Sequence, residues 1–196
     1  MIPHEADRFT GLIRSYGIVD AEAQDMMRSI FFPLSVYKND HFQEIGNTHD
    51  RVGIVYKGIF RFYYLDYKGR ERTKHLVTDG GFLMSITSLT TDEKLAFSIQ
   101  AIVDSEIYYT PVSLFRDAIR ISSGLNAVFN AHLLKMYILK ERRERSLLMK
   151  SPEERYTEFL SENYAMCGAI SQKYIASYLG VDPVSLSRIR ARKRTN

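Results

Sequence analysis

The spacing of apolar residues changes character twice along the chain. Residues 7–30 follow a helical rhythm, in which Asp20 is placed to cap AEAQDMMRSI, and Ala21, Met26, Met27 and Ile30 fall near one face. From Phe31 to Pro111 the pattern shortens into β-rich runs: FFPLSVY, RVGIVYKG, GIFRFYYL, ERTKHLV, LAFSIQAIV and EIYYTP. Gly46, Gly53, Gly58, Gly69 and the pair Gly80–Gly81 punctuate them, and DYKG at 66–69 predicts a hairpin turn. Short strands at this spacing predict an antiparallel roll, barrel or sandwich rather than a parallel sheet with crossover helices.

Helical spacing returns after Pro111, first to about Arg120 and then, past Ser122–Ser123–Gly124, from Leu125 to about Met149. That long segment is apolar on two sides. Leu125, Phe129, Leu133, Met136 and Tyr137 share one face, and Ala127, Ala131, Leu134 and Ile138 share another. A helix apolar on two sides needs two partners, here the β unit and a second protomer. Ser151-Pro152-Glu153-Glu154 then marks a new start, with an N-cap, a proline at the first helical position and a capping box. The expected domains are 1–120, a β sensor domain; 121–150, a dimerisation helix; and 151–196, a small helical domain.

Composition narrows the class. The chain has 196 residues, 45% hydrophobic and 26% charged, which is ordinary globular usage. Its one cysteine, Cys167, supports neither a disulfide framework nor a cluster of thiolate ligands. The start MIPHEADRF is too polar for a secretory signal, and no stretch of 18 apolar residues occurs, so a cytoplasmic protein without a membrane partner is expected. Charge is uneven: residues 1–110 hold 12 Lys/Arg and 15 Asp/Glu, residues 111–196 hold 15 and 8, and the net charge is +4. A basic end points to a polyanion.

The basic half contains QKYIASYLGVDPVSLSRIRA, residues 172–191, which fits a helix-turn-helix template. Ile175, Leu179, Val181, Leu186 and Ile189 fall where two helices pack, Ala176 supplies the small residue at their closest approach, and Gly180 sits where the turn requires positive φ. Asp182 caps the second helix and Pro183 opens it. That helix turns Pro183, Val184, Ser187 and Arg188 outward. Arg188 can pair both acceptors of a guanine, and Val184 can meet a thymine methyl. Arg190, Arg192, Lys193 and Arg194 suit phosphates. Ser171, Gln172 and Lys173 open the first helix, whose amides suit a backbone phosphate. With Ser185, the candidate DNA-binding set is Ser171, Gln172, Lys173, Pro183, Val184, Ser185, Ser187, Arg188, Arg190 and Arg192.

SPEERY at 151–156, ISQKYIASYLGVDPVSLSRIR at 170–190 and GIFRFYYLDYKGRE at 58–71 resemble the Crp/Fnr family of bacterial transcription regulators over residues 7 to about 192. The resemblance implies an α+β fold. Its parts would be an N-terminal double-stranded β-roll of the cyclic-nucleotide-binding type (jelly-roll-like), a long dimerisation helix, and a C-terminal helix-turn-helix without a full wing, since the chain ends seven residues after Ile189. It implies double-stranded DNA and a second copy of the chain as partners, with RNA polymerase as a further candidate. Leu125, Phe129, His132, Leu133 and Met136 are the candidate residues of the dimer helix.

The effector pocket implied by the family falls on Gly81, Phe82, Leu83, Ser85, Ile86, Leu95 and Ala96. It is degenerate. Ser85 stands where members that bind cyclic AMP carry a Glu for the ribose, and Leu95 and Ala96 stand where they carry the Arg–Ser pair for the phosphate. A cyclic phosphate against Leu95 would lose its charge-assisted partner, so cyclic AMP is not expected to bind. In the recognition helix, Pro183 and Val184 replace the first two base readers, and only Arg188 matches the third, which predicts a different operator. No cofactor is expected, although His75 and His132 leave haem open by donor type.

Two other classes make different demands on the sequence. An enzyme of the metal-barrel kind would need clustered ligands, and His41, His49, His75 and His132 show no H-x-H spacing; phosphate-loop and nucleophile-elbow motifs are absent too. No enzymatic activity is therefore expected. The alternative reading is a ligand-sensing dimer that acts through protein contacts, with an inert helix-turn-helix.

Overall fold

The structure, a computed structural model, describes residues 3–17, 20–48, 50–91 and 93–195; His49 and the side chain of Arg194 lie outside the described residues. Helices α1 (Pro3–Ser15) and α2 (Ala21–Ile30) precede strands β1 (Phe32–Val36), β2 (His41–Gln43), β3 (Arg51–Lys57), β4 (Phe60–Leu65), β5 (Glu71–Val77) and β6 (Phe82–Leu83). A short helix α3 (Ile86–Thr90) leads to β7 (Ser98–Ala101) and β8 (Ser105–Pro111). The helices α4 (Val112–Ile121), α5 (Ser123–Met149), α6 (Pro152–Asn163), α7 (Gln172–Leu179) and α8 (Pro183–Thr195) follow. Among the described residues no strand follows α8.

The strands form two antiparallel sheets, ordered β1-β8-β3-β6 and β2-β7-β4-β5. Register is regular along β1 and β8, from Phe32 opposite Tyr109 to Val36 opposite Ser105, and shifts between Val55 and Lys57 where β3 meets β8. Strand alternation sorts the side chains. Val55, Leu83 and Ile107 point between the sheets, where they meet Phe42, Phe60, Phe62, Phe97 and Ile99; Ile54, Phe82 and Tyr108 point the other way, onto Phe9, Met27, Phe115, Leu125 and Phe129 of the helices. Strand rhythm leaves roll, barrel and sandwich open; the architecture observed is the α+β double-sheet roll that the family resemblance implies.

The chain divides into two compact units. One comprises Met1–Phe62 and Leu76–Leu134; the other comprises the hairpin segment Tyr63–His75 with Lys135–Asn196. In the hairpin, the Asp66 carboxylate accepts from the N–H groups of Lys68 and Arg70 and from the guanidinium groups of Arg70 and Arg72. Partial burial opposes its charge, but these donors hold the carboxyl well below the usual range. Gly69, at φ 72°, completes the DYKG turn by donating to the Asp66 carbonyl.

Two local details depart from the sequence pattern. Helix α5 starts at Ser123, earlier than Leu125, because Ser122 accepts from the Leu125 N–H through its hydroxyl and from the Asn126 N–H through its carbonyl. Gly124 lies against Ala23 of α2, where a Cβ would make an ordinary contact at 3.4 Å. The elements β2, β6 and α3 are too short to carry a readable period.

Candidate nucleic-acid interface

Local chemistry builds each end of the helical pair. Ser171 caps α7, its side chain accepting from the Tyr174 N–H. Gly180 ends α7 at φ 69° and ψ 32°, and the Val181 N–H returns to the Ala176 carbonyl, closing a left-handed cap. Asp182 begins α8: one carboxylate oxygen accepts from the Ser185 N–H at 2.9 Å, the other from the Ser185 hydroxyl at 2.6 Å. That hydroxyl, and then that N–H, hold the Asp182 carboxyl below its usual range.

The two helices pack through the residues whose spacing predicted it. Ile175, Ala176, Leu179, Leu186 and Ile189 are buried with Ile170, Tyr156 and Phe159. Tyr156 and Phe159 come from α6, which starts with the full capping box between Ser151 and Glu154. Burial pushes the Tyr178 hydroxyl up, opposed by the guanidinium of Arg143, which lies 4.8 Å from the ring centroid.

The opposite face of α8 is open. Pro183, Val184, Ser187 and Arg188 are exposed, Val184 to 60%. Ser171, Gln172 and Lys173 are exposed at the start of α7. Several of the named residues are engaged within the unit: Lys173 lies 3.8 Å from the Glu71 carboxylate, the Ser185 hydroxyl is held by Asp182, Arg192 is paired with Glu153, and the neighbouring Lys193 donates to the Thr157 hydroxyl. Burial pushes the Cys167 thiol up, opposed by the charge of the half-buried Arg190. The sequence pattern placed these side chains on a helix but did not show which intramolecular partners reach them.

In the roll, the residues of the implied effector pocket do not converge on an open space. Phe82 and Leu83 belong to opposite faces of β6. A Cβ on Gly81 would stand 2.1 Å from Val77 Cγ1, so only glycine fits that turn. Ser85 is buried and caps α3, accepting from the Ser88 N–H and hydroxyl. Arg116 of α4 donates to the Ser88 and Leu89 carbonyls at the other end of α3. Leu95 is 2% exposed, whereas Ala96 and Ile86 face outward. The void beside Phe82, Phe115, Leu125 and Phe129 measures about 10 Å³, room for about one water. A larger groove of about 390 Å³ lies elsewhere, between Arg8, Pro33, Tyr56 and Glu106.

Along α5, Leu125 and Phe129 are buried in the chain's own core, His132 lies with its ring 4.5 Å from that of Phe82, and Leu133 and Met136 are half-buried. These five residues therefore line the side turned toward their own chain or its edge. The side left open carries Ala127, Ala131, Leu134 and Ile138, with Leu134 62% exposed and the adjacent Tyr137 66%. Among the described residues no helix is long and apolar enough to cross a membrane, and no three His, Cys, Asp or Glu residues group as metal ligands.

A double-sheet antiparallel roll, a long helix and a C-terminal helix-turn-helix together make the fold of the Crp/Fnr transcription regulators. No protein-family model and no curated protein matches the sequence. Solved structures do. FixK2 from Bradyrhizobium japonicum matches with a TM-score of 0.74 and 21% identity over 85% of each chain. A structure assigned to the Crp/Fnr family from Eubacterium rectale gives 0.73 and 17% over 92% of this chain and 86% of that one. The c-di-GMP responsive regulator CLP of Xanthomonas campestris gives 0.73 and 12% over 90% and 92%. At these identities the likeness is one of fold.

Proposed function

We propose that the protein is a homodimeric, sequence-specific DNA-binding transcription regulator without enzymatic activity. The observation that carries this reading is the two-sidedness of α8: Leu186 and Ile189 are buried against α7 and its support, while Val184, Ser187 and Arg188 share an exposed face. Arg188 would read a guanine, Val184 a thymine methyl, and the start of α7 with Lys173 would hold a phosphate. Arg190 and Arg192 add positive charge for the backbone, the latter after leaving Glu153.

Two copies would pair along α5. Ala127, Ala131, Leu134 and Ile138 follow a 4-3-4 spacing, the seam of a two-helix coiled coil, and they are exposed in the single chain. Pairing there would set two recognition helices about 34 Å apart on an inverted repeat. Cyclic AMP would not be the effector, because Leu95 is turned into the core and the inner sheet faces are filled by Phe42, Phe60, Phe62 and Phe97. Saturable micromolar binding of cyclic AMP by calorimetry would refute that part.

The test is selection of bound duplexes from a random pool at moderate salt with no ligand added. An enriched inverted repeat supports the reading. Background binding alone, sensitive to salt but not to sequence, refutes effector-independent recognition and favours a head that works through protein contacts.

A further inference from the structure

Strand β5 is the terminal strand of its sheet, and an edge strand leaves N–H and C=O groups that must find other partners. Two of them find α7. The Thr73 N–H donates to the Ser177 Oγ at 2.8 Å, and the Ser177 hydroxyl donates to the Glu71 carbonyl at 3.3 Å. One side chain thus does for two alternate residues of β5 what a neighbouring strand would do. Arg143 of α5 joins the same junction, donating to the Thr73 carbonyl at 3.4 Å and to the Tyr178 carbonyl at 2.8 Å.

The clasp fixes a charge in a consequential place. Glu71 Oε2 lies 3.8 Å from Lys173 Nζ, in the first turn of α7, where the helix dipole favours an anion. An exposed ion pair of this kind is weak by itself. Here, however, the Glu71 backbone is tied to α7 through Ser177, so the carboxylate is held beside Lys173 by more than its own attraction.

We propose that the β5–α7 clasp is an autoinhibitory contact in which the Glu71 carboxylate occupies the phosphate position of the helix-turn-helix. This rests on the DNA-binding reading above. A DNA phosphate and Glu71 compete for Lys173, and the polyanion repels the carboxylate, so α7 seats on DNA only when the hairpin edge lets go. The charge and the hydroxyl bridge work in the same direction, which separates this device from simple long-range repulsion.

The experiment compares the full-length protein with E71Q and S177A on a duplex, with affinity measured from low to moderate salt. Each substitution should tighten binding about 5-fold or more, the lower end of the usual coupling between linked sites. The gain of E71Q should vanish in a Lys173→Gln background, because the carboxylate acts through that side chain. Hydrogen exchange gives an independent readout: the Thr73 amide should be protected in the free protein and exchange faster once duplex is added. Wild-type affinity in both variants, or an equally protected Thr73 amide on DNA, overturns the clasp while leaving DNA binding intact. If neither the wild type nor any variant binds duplex even at low salt, the DNA-binding reading falls and the clasp falls with it.

Discussion

Replacing Gly180 with Ala should destabilise the helix-turn-helix by about 1–2 kcal/mol, the cost of placing a Cβ-bearing residue in the left-handed region. The structure supplies both terms. Gly180 has φ 69°, and a Cβ there would stand 3.2 Å from Leu147 Cδ2, the end of a half-buried side chain that can yield by a few tenths of an ångström. Backbone strain therefore dominates, and the steric term is small. For a chain of this size, that loss lowers the midpoint of thermal unfolding by roughly 2–8 °C. The chain has no tryptophan, so far-UV circular dichroism under urea or heat is the suitable probe. Gly180→Asn is the control that isolates the cause. It adds the same Cβ, but Asn tolerates the left-handed region, so it should retain more stability than Gly180→Ala. An Ala variant as stable as the wild type, or an Asn variant weaker than Ala, would refute the reasoning.

Three further outcomes follow from the same physics. Arg188→Ala should cost about 1–3 kcal/mol at one base pair and relax specificity there, measured by competition among single-base variants of the selected site; uniform weakening would assign Arg188 to phosphate instead. Leu134→Glu, at a position already exposed in the single chain, should abolish dimers in sedimentation equilibrium without lowering the stability of the monomer; an unchanged dimer would remove α5 as the seam. Burial, with Lys140 nearby, pushes Lys74 down to about 8. The unfolded chain then binds more protons than the folded one between about pH 8 and the ordinary lysine value near 10.4, so stability rises with pH across that window. Lys74→Met should therefore be more stable than wild type at pH 7, with the advantage shrinking above pH 8. A constant advantage at all pH values would show that Lys74 is not the titrating group.

Much of this fold is local, and local features are legible in a sequence. The Asp20 cap, the DYKG turn, the Ser151–Glu154 capping box and the Gly180 turn are each specified by two to four adjacent residues whose own hydrogen bonds make the structure. The pairing of Leu186 and Ile189 with Ile175 and Leu179 follows from helical periodicity alone. Such signals also gave the fold class, since short alternating strands and long periodic helices have few ways to bury their apolar faces.

Contacts between distant segments carry no such signature. Residue spacing marked two apolar faces on α5, but only the packed chain decided that Leu125 and Phe129 belong to its own core and that Ala127, Ala131, Leu134 and Ile138 remain open. Arg192 reads as a phosphate contact in the sequence because Glu153 becomes its partner only when α8 and α6 are folded and in place. The bridge from Ser177 to Glu71 and Thr73 joins residues more than 100 positions apart in sequence, and no composition or period announces it. The sequence by itself determined the helix ends, the turns and the outward face of α8, because neighbouring residues settle those among themselves. Which charges stay available and where β5 finds its missing hydrogen bonds were decided by tertiary structure, because a partner far along the chain exists only once the fold has brought it near.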